Sequence, residues 1–111
     1  MIVRLWRGVV PTEKIAEYAE IVQRTGISGY RQTPGNVRAE LITRDLGGGR
    51  SEIMTLSWWH ALEDIRAFAG DDIEVAKYYP EDDGYLLDRD RTVAHYEVFA
   101  TGRPTSPGGG S

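Results

Sequence analysis

Residues 2–10 are dense in β-branched and aromatic side chains and are closed by Pro11, a pattern that predicts a first strand. Directly after it, Ile15, Tyr18, Ala19 and Val22 fall at i, i+3, i+4 and i+7, the stripe of an amphipathic helix. Thr12 is placed to cap this helix, with Glu13 and Lys14 in its first turn. Gly26 and Gly29 are expected to end it, leaving 30–35 as a loop around Pro34-Gly35. Strand-like composition returns over 36–45 and 51–59. Between them Gly47-Gly48-Gly49 can take positive φ without steric cost, so the pair reads as a hairpin. Leu62, Ile65 and Phe68 restore helical spacing over 61–69, and Gly70 stops it. Asp71 and Glu74 have a capping-box-like spacing, which predicts a further short helix ending before Pro80. Residues 81–91 read as a polar loop around Tyr85-Leu86-Leu87, and 93–100 as the last strand. Residues 101–111 offer no apolar anchor and are expected to be a disordered tail.

The resulting order is βαββαβ, an α+β, ferredoxin-like arrangement over residues 1–100. Right-handed crossovers place both helices on one face of an antiparallel four-stranded sheet. The other face is not written as a solvated one. In the first strand Val3, Leu5 and Val9 oppose Ile2, Trp6 and Val10; in the third, Met54, Leu56 and Trp58 oppose Ile53, Thr55, Ser57 and Trp59. A sheet open to water on one side alternates apolar with polar, so a homodimer packed sheet to sheet, a dimeric α+β barrel, is expected.

Composition narrows the partners. A chain of 111 residues with net charge −4 is one domain with no electrostatic reason to bind nucleic acid or an anionic membrane. It has no cysteine, which removes disulfides, thiolate metal sites and cysteine nucleophiles. Arg4 interrupts the first apolar run, unlike a signal peptide, and no segment approaches the about 20 apolar residues of a membrane span. A cytoplasmic location is therefore expected. Gly47-Gly48-Gly49-Arg50 lacks the ending of a phosphate loop, and His60 and His95 have no metal-ligand spacing, so no metal site is expected.

The stretch Ser57-Trp58-Trp59-His60-Ala61-Leu62-Glu63, followed by Ala67-Phe68-Ala69, resembles the strand-to-helix signature of antibiotic biosynthesis monooxygenase domains. Thr33-Pro34-Gly35-Asn36 and His95-Tyr96-Glu97-Val98 are similar to the same family, and the likeness spans about residues 2–99. It implies a dimeric α+β barrel and a ligand pocket between helices and sheet. It also implies a range of chemistries: cofactor-free oxygenation of polyketide quinols, haem degradation, or lactone isomerisation. Residues 61–79 contain no histidine to serve as the axial ligand of the haem-degrading members, so no cofactor is expected.

On the helix-facing side of the sheet, Trp59 matches the family's third-strand tryptophan, as an aromatic wall for a polycycle or as core beneath the second helix. Thr55 and Ser57 beside it are small and polar. Arg4 and Trp6 share a face of the first strand. Arg4 is a candidate stabiliser of a phenolate or enolate, or else pairs with Glu97 or solvent. Trp6 stands where the family's oxygenases carry a polar amide, a departure from the pattern. His95, with Glu97 on its face, is the candidate general base, while His60 reads as a helix-start residue. Tyr78 is a candidate proton donor, and Tyr79, Tyr18 and Tyr30 complete an aromatic border. Glu81-Asp82-Asp83 reads as a solvated acidic loop. Three functions stay open: a cofactor-independent monooxygenase on an aromatic or polyketide-like molecule, a non-catalytic binding or stress-response module, and an isomerase or cyclase. A cavity of about 300 Å³ would favour the enzyme readings, and interlocked aromatics the packed module.

Overall fold

A computed structural model describes residues 1–105. It places β1 at Ile2–Pro11, a 3-10 turn at Thr12–Lys14, α1 at Ile15–Val22, a π turn at Gln23–Ile27 and α2 at Ser28–Gln32. The hairpin of β2 (Asn36–Gly47) and β3 (Arg50–Trp59) follows, then α3 (Leu62–Ala69), a 3-10 turn at Pro80–Gly84, β4 (Asp88–Arg89) and β5 (Ala94–Glu97). The sheet is antiparallel in the order β2-β3-β1-β4, with β5 also on β1. This is the expected ferredoxin-like sheet, and its helices cover one face.

β1 is central because its alternation serves both neighbours. Trp6 pairs with Thr55 and Arg4 with Ser57 on β3, while Arg4 also pairs with His95 on β5. The helix-facing row is buried: Arg4, Trp6 and Val10 on β1, and Ile53, Thr55, Ser57 and Trp59 on β3. One apolar cluster gathers Trp6, Val10, Tyr18, Val22 and Ile53 under α1; a second gathers Tyr30, Trp59, Ile65 and Phe68 under α3. The hairpin turns as expected, with φ of 83°, 63° and 79° at Gly47, Gly48 and Gly49.

Four expectations need correction. Pro11, not Thr12, occupies the position before the first helical turn, and the Thr12 hydroxyl bonds Ser51 Oγ instead of capping. The first helical segment does not stop at Gly26 or Gly29. It widens through one π turn, where Thr25 Oγ1 donates to Ile21 O, and runs to Gln32. Gly29 is needed inside the helix, because a Cβ there would meet Phe68 Cε1 at 2.9 Å and the Tyr79 hydroxyl at 3.3 Å.

No helix forms over 71–79. Gly70, at φ 89°, turns the chain out of α3, and the connection then bonds by backbone to the segment before β5, Ala76 N to Arg91 O and Val93 N to Glu74 O. Those long-range bonds replace the local helical ones that Asp71 and Glu74 suggested. Finally, the last strand is split: Asp88–Arg89 pair with Val9 and Gly8, and only Ala94–Glu97 continue the ladder toward Ile2. Residues 101–105 carry no regular element, and the rest of the expected tail, 106–111, lies outside the described residues.

Candidate ligand cleft between helices and sheet

A cleft opens between the helices and β1. Its floor is Arg4, Trp6 and Thr55; the helices contribute Tyr18, Val22, Gly26, Tyr30 and Phe68; the connection after α3 closes it with Lys77, Tyr79 and Asp82. Counted out to its open mouth the cleft is about 400 Å³, but the inner space open to the centre of a water-sized sphere is about 30 Å³. That is room for a few waters, well short of a polycycle.

Arg4 dominates the cleft. It is 1% exposed, yet no carboxylate pairs with it among the described residues. Nη1 donates to Ile73 O at 2.6 Å and to His95 Nε2 at 3.0 Å, Nη2 reaches Val75 O at 3.5 Å, and Nε has no partner. Burial lowers its pKa from the ordinary value, although a guanidinium stays charged at neutral pH. A buried cation without an anion is costly, so the carbonyls of the 71–79 connection and the imidazole carry its solvation.

His95 therefore meets Arg4 rather than Glu97. Because arginine only donates, His95 Nε2 is the acceptor and the ring is neutral with its proton on Nδ1. Burial lowers the His95 pKa first, and Arg4 lowers it further, against a smaller opposing pull from Glu74. Its lone pair is used by Arg4 and does not line the cleft.

The other sequence-selected residues divide between lining and support. Thr55 Oγ1 and the Tyr30 hydroxyl lie 3.1 Å apart on the cleft wall. Tyr18 donates to Asp82 Oδ1 at 2.8 Å, and burial with that bond holds its pKa far above the usual phenol value. Tyr79 lines the cleft, its pKa raised mainly by burial. Trp59 and Ser57 are fully buried outside the cleft, with Trp59 Nε1 donating to Ser57 Oγ at 2.9 Å and its ring edge-on to Tyr30. Tyr78 also lies outside the lining: it accepts from Trp6 Nε1 at 3.1 Å and donates to Asp90 O, bracing the indole from behind. His60 is exposed before α3, its backbone N–H on Gly35 O.

Among the lining residues that sequence reading did not select, three carry charged or aromatic chemistry: Asp82, Phe68 and Lys77. Asp82 is 4% exposed, not solvated: it accepts from the Tyr18 hydroxyl and from Tyr79 N. The signal was its place three residues after Tyr79 across Pro80, a 3-10 capping position. Phe68 was read as part of the helix stripe and of the family-like Ala67-Phe68-Ala69 run, not as a lining residue. Lys77 carried no local signal; Nζ lies 4.6 Å from the Phe68 ring centre and donates to Phe68 O.

Among the described residues no cluster of three or more histidines, cysteines or carboxylates forms that could hold a metal ion, and no helix is long and apolar enough to cross a membrane.

No protein-family model matches the chain, and no curated protein matches it in sequence. Solved structures do match in fold. A putative antibiotic biosynthesis monooxygenase from Bacillus cereus superposes with a TM-score of 0.66 at 13% identity, covering 93% of this chain and 97% of that one. A haem-degrading protein from Mycobacterium tuberculosis, with two haems in its active site, gives 0.60 at 15% identity over 93% and 100%. A Streptomyces coelicolor monooxygenase in complex with nanaomycin D gives 0.61 at 12% over 94% and 92%. The chain thus has the fold of the antibiotic biosynthesis monooxygenase structures, as its sequence suggested. A haem does not fit the residues present: no histidine lines the cleft, and His95 Nε2, the buried imidazole's lone pair, is held by Arg4.

Proposed function

We propose that the protein is a cofactor-independent monooxygenase for an aromatic or polyketide-like small molecule bound in this cleft. The observation that supports it is Arg4, an unpaired cation at the bottom of an aromatic-walled cleft. Such a group favours the phenolate or enolate form of a substrate over its neutral form. That anion is the electron donor: its own electrons reduce dioxygen. Trp6, Tyr18 and Thr55 wall the substrate, and Trp59 and Ser57 hold the wall beneath Tyr30 and Phe68. Tyr79, kept protonated by burial, serves as proton donor. His95 acts through Arg4, and Tyr78 through Trp6.

The substrate needs more room than the closed cleft gives, so the 71–79 connection moves outward on binding. It is held by Arg4, by side-chain bonds from Tyr78 and Lys77 and by few backbone bonds, with no regular element of its own. The working unit is a homodimer. A single chain has a radius of gyration of 15.4 Å and is only 22 Å thick, whereas a compact domain of this length has about 13 Å. Val3, Leu5, Leu56 and Trp58 lie on the flat side away from the helices.

Oxygen consumption with a panel of aromatic quinols tests the chemistry; protein-dependent uptake, with quinol turnover that stops under argon, supports it. No uptake across the panel, or full turnover without oxygen, overturns it. The narrow inner space favours a second reading, a non-catalytic binding module with the same fold. That reading predicts ligand binding without turnover.

A further inference from the structure

The cleft contains two cations and no free anion. Arg4 Nε is unpartnered; within hydrogen-bond distance the guanidinium has only carbonyls and a neutral imidazole, and the Tyr30 hydroxyl, on the same cleft wall, adds a favourable but uncharged neighbour. Lys77 Nζ has only the Phe68 carbonyl, at 3.3 Å. Both cations converge on one ring: the Arg4 guanidinium carbon is 5.9 Å and Lys77 Nζ 4.6 Å from the Phe68 centroid. Asp82, the carboxylate in the lining, is already occupied by Tyr18 and by Tyr79 N.

We infer that the cleft binds a planar aromatic carboxylate, its acid group inward on Arg4 and its ring between Phe68 and Tyr79 toward the mouth, where Lys77 sits. The inference rests on the reading of the cleft as a small-molecule site and is independent of oxygen chemistry. A carboxylate supplies what the pocket lacks. It accepts the orphan Nε–H, matches the planar fork of a guanidinium, and is small enough for an inner space of about 30 Å³. An aromatic ring then meets aromatic faces outside it. A neutral isostere keeps the ring contacts but leaves the buried charge unmatched.

The experiment compares 2-naphthoate with 2-naphthamide on the full chain, following binding by calorimetry and the arginine Nε–H resonances. The acid is expected to bind at least about tenfold more tightly than the amide, the worth of a charge-assisted hydrogen bond, and to shift the Arg4 Nε–H signal. Lys77→Gln alters an exposed side chain at the ring end and is expected to fold normally and to keep most of the acid preference, which comes from Arg4. Equal affinities, no binding of either compound at millimolar concentration, or an acid preference abolished by Lys77→Gln, which would put the acid group on Lys77, overturns the inference. Acid preference without oxygen uptake sinks the oxygenase alone; uptake with a neutral quinol and no acid preference sinks this inference alone.

Discussion

Arg4 Nη1 donates to His95 Nε2 at 3.0 Å between cross-strand partners of β1 and β5. A histidine that accepts from arginine is held neutral, because protonation removes the acceptor and sets two cations face to face. Glu74 is the acid whose field opposes this, and it is the weaker influence.

The pH dependence follows from that pair. The His95 pKa is lower folded than unfolded, so below about pH 6.5 the unfolded chain binds the proton more readily. The contribution is complete above that pH and is lost as pH falls toward the folded pKa. His95→Gln keeps an acceptor for Arg4 but cannot titrate. Thermal unfolding between pH 7 and 5 is expected to show a steeper fall in Tm for the wild type than for His95→Gln; parallel curves would contradict it.

Trp59 and Trp6 separate structural from ligand-facing tryptophan. Trp59 is fully buried among Tyr30, Ile65 and Phe68, so Trp59→Ala is expected to cost about 3–5 kcal/mol in urea unfolding. Trp59→Phe is expected to retain ligand affinity. Trp6→Phe, which alters the cleft floor and frees the Tyr78 hydroxyl, is expected to change it.

Two glycines in the first helical segment should respond in opposite directions. At Gly26 a new Cβ meets nothing closer than Val22 Cγ1 at 3.8 Å. Gly26→Ala is therefore expected to stabilise by about 0.5–1 kcal/mol through helix propensity. At Gly29 the same methyl presses on Phe68 and Tyr79. There the overpacking, about 1–3 kcal/mol, exceeds the propensity gain, so Gly29→Ala is expected to unfold at lower urea and to weaken ligand binding. Equal stabilisation by both would show that Phe68 yields freely.

These glycines also mark where sequence stopped being readable. A glycine signals a helix end only if the chain takes positive φ there; Gly70 does, whereas Gly26 and Gly29 do not. Their role is set by Phe68 and Tyr79, which arrive from distant sequence. The missing helix over 71–79 has the same cause, since Ala76 and Val93 take backbone partners about fifteen residues away or more. By contrast β1, the glycine hairpin and α3 were legible because their patterns and turns are local. At the cleft, sequence pointed to Arg4, Trp6 and Thr55 because they alternate onto the helix-facing row, and to the tyrosines only as an aromatic set bordering it. It could not separate Trp59 from them, since alternation gives the face and not the depth. Lys77 was hidden because the chain around it has no period.

The unsheltered sheet face supplies the last prediction. Trp58 carries Arg38 over its ring at 4.1 Å, and Glu52 joins Arg44 at 3.2 Å and also Arg7. Around these charges Ile42 and Tyr96 remain 43% and 58% exposed, with Val3, Leu5, Met54 and Leu56 partly so. A second copy related by a two-fold axis is expected to cover this apolar centre. Sedimentation is expected to give twice the 12.4 kDa of one chain at micromolar concentration. Leu56→Arg puts a charge at the centre and adds nothing to the cleft side, so it is expected to yield monomers with a lower Tm. A wild-type chain that sediments as a stable monomer would remove the dimer, and with it the barrel.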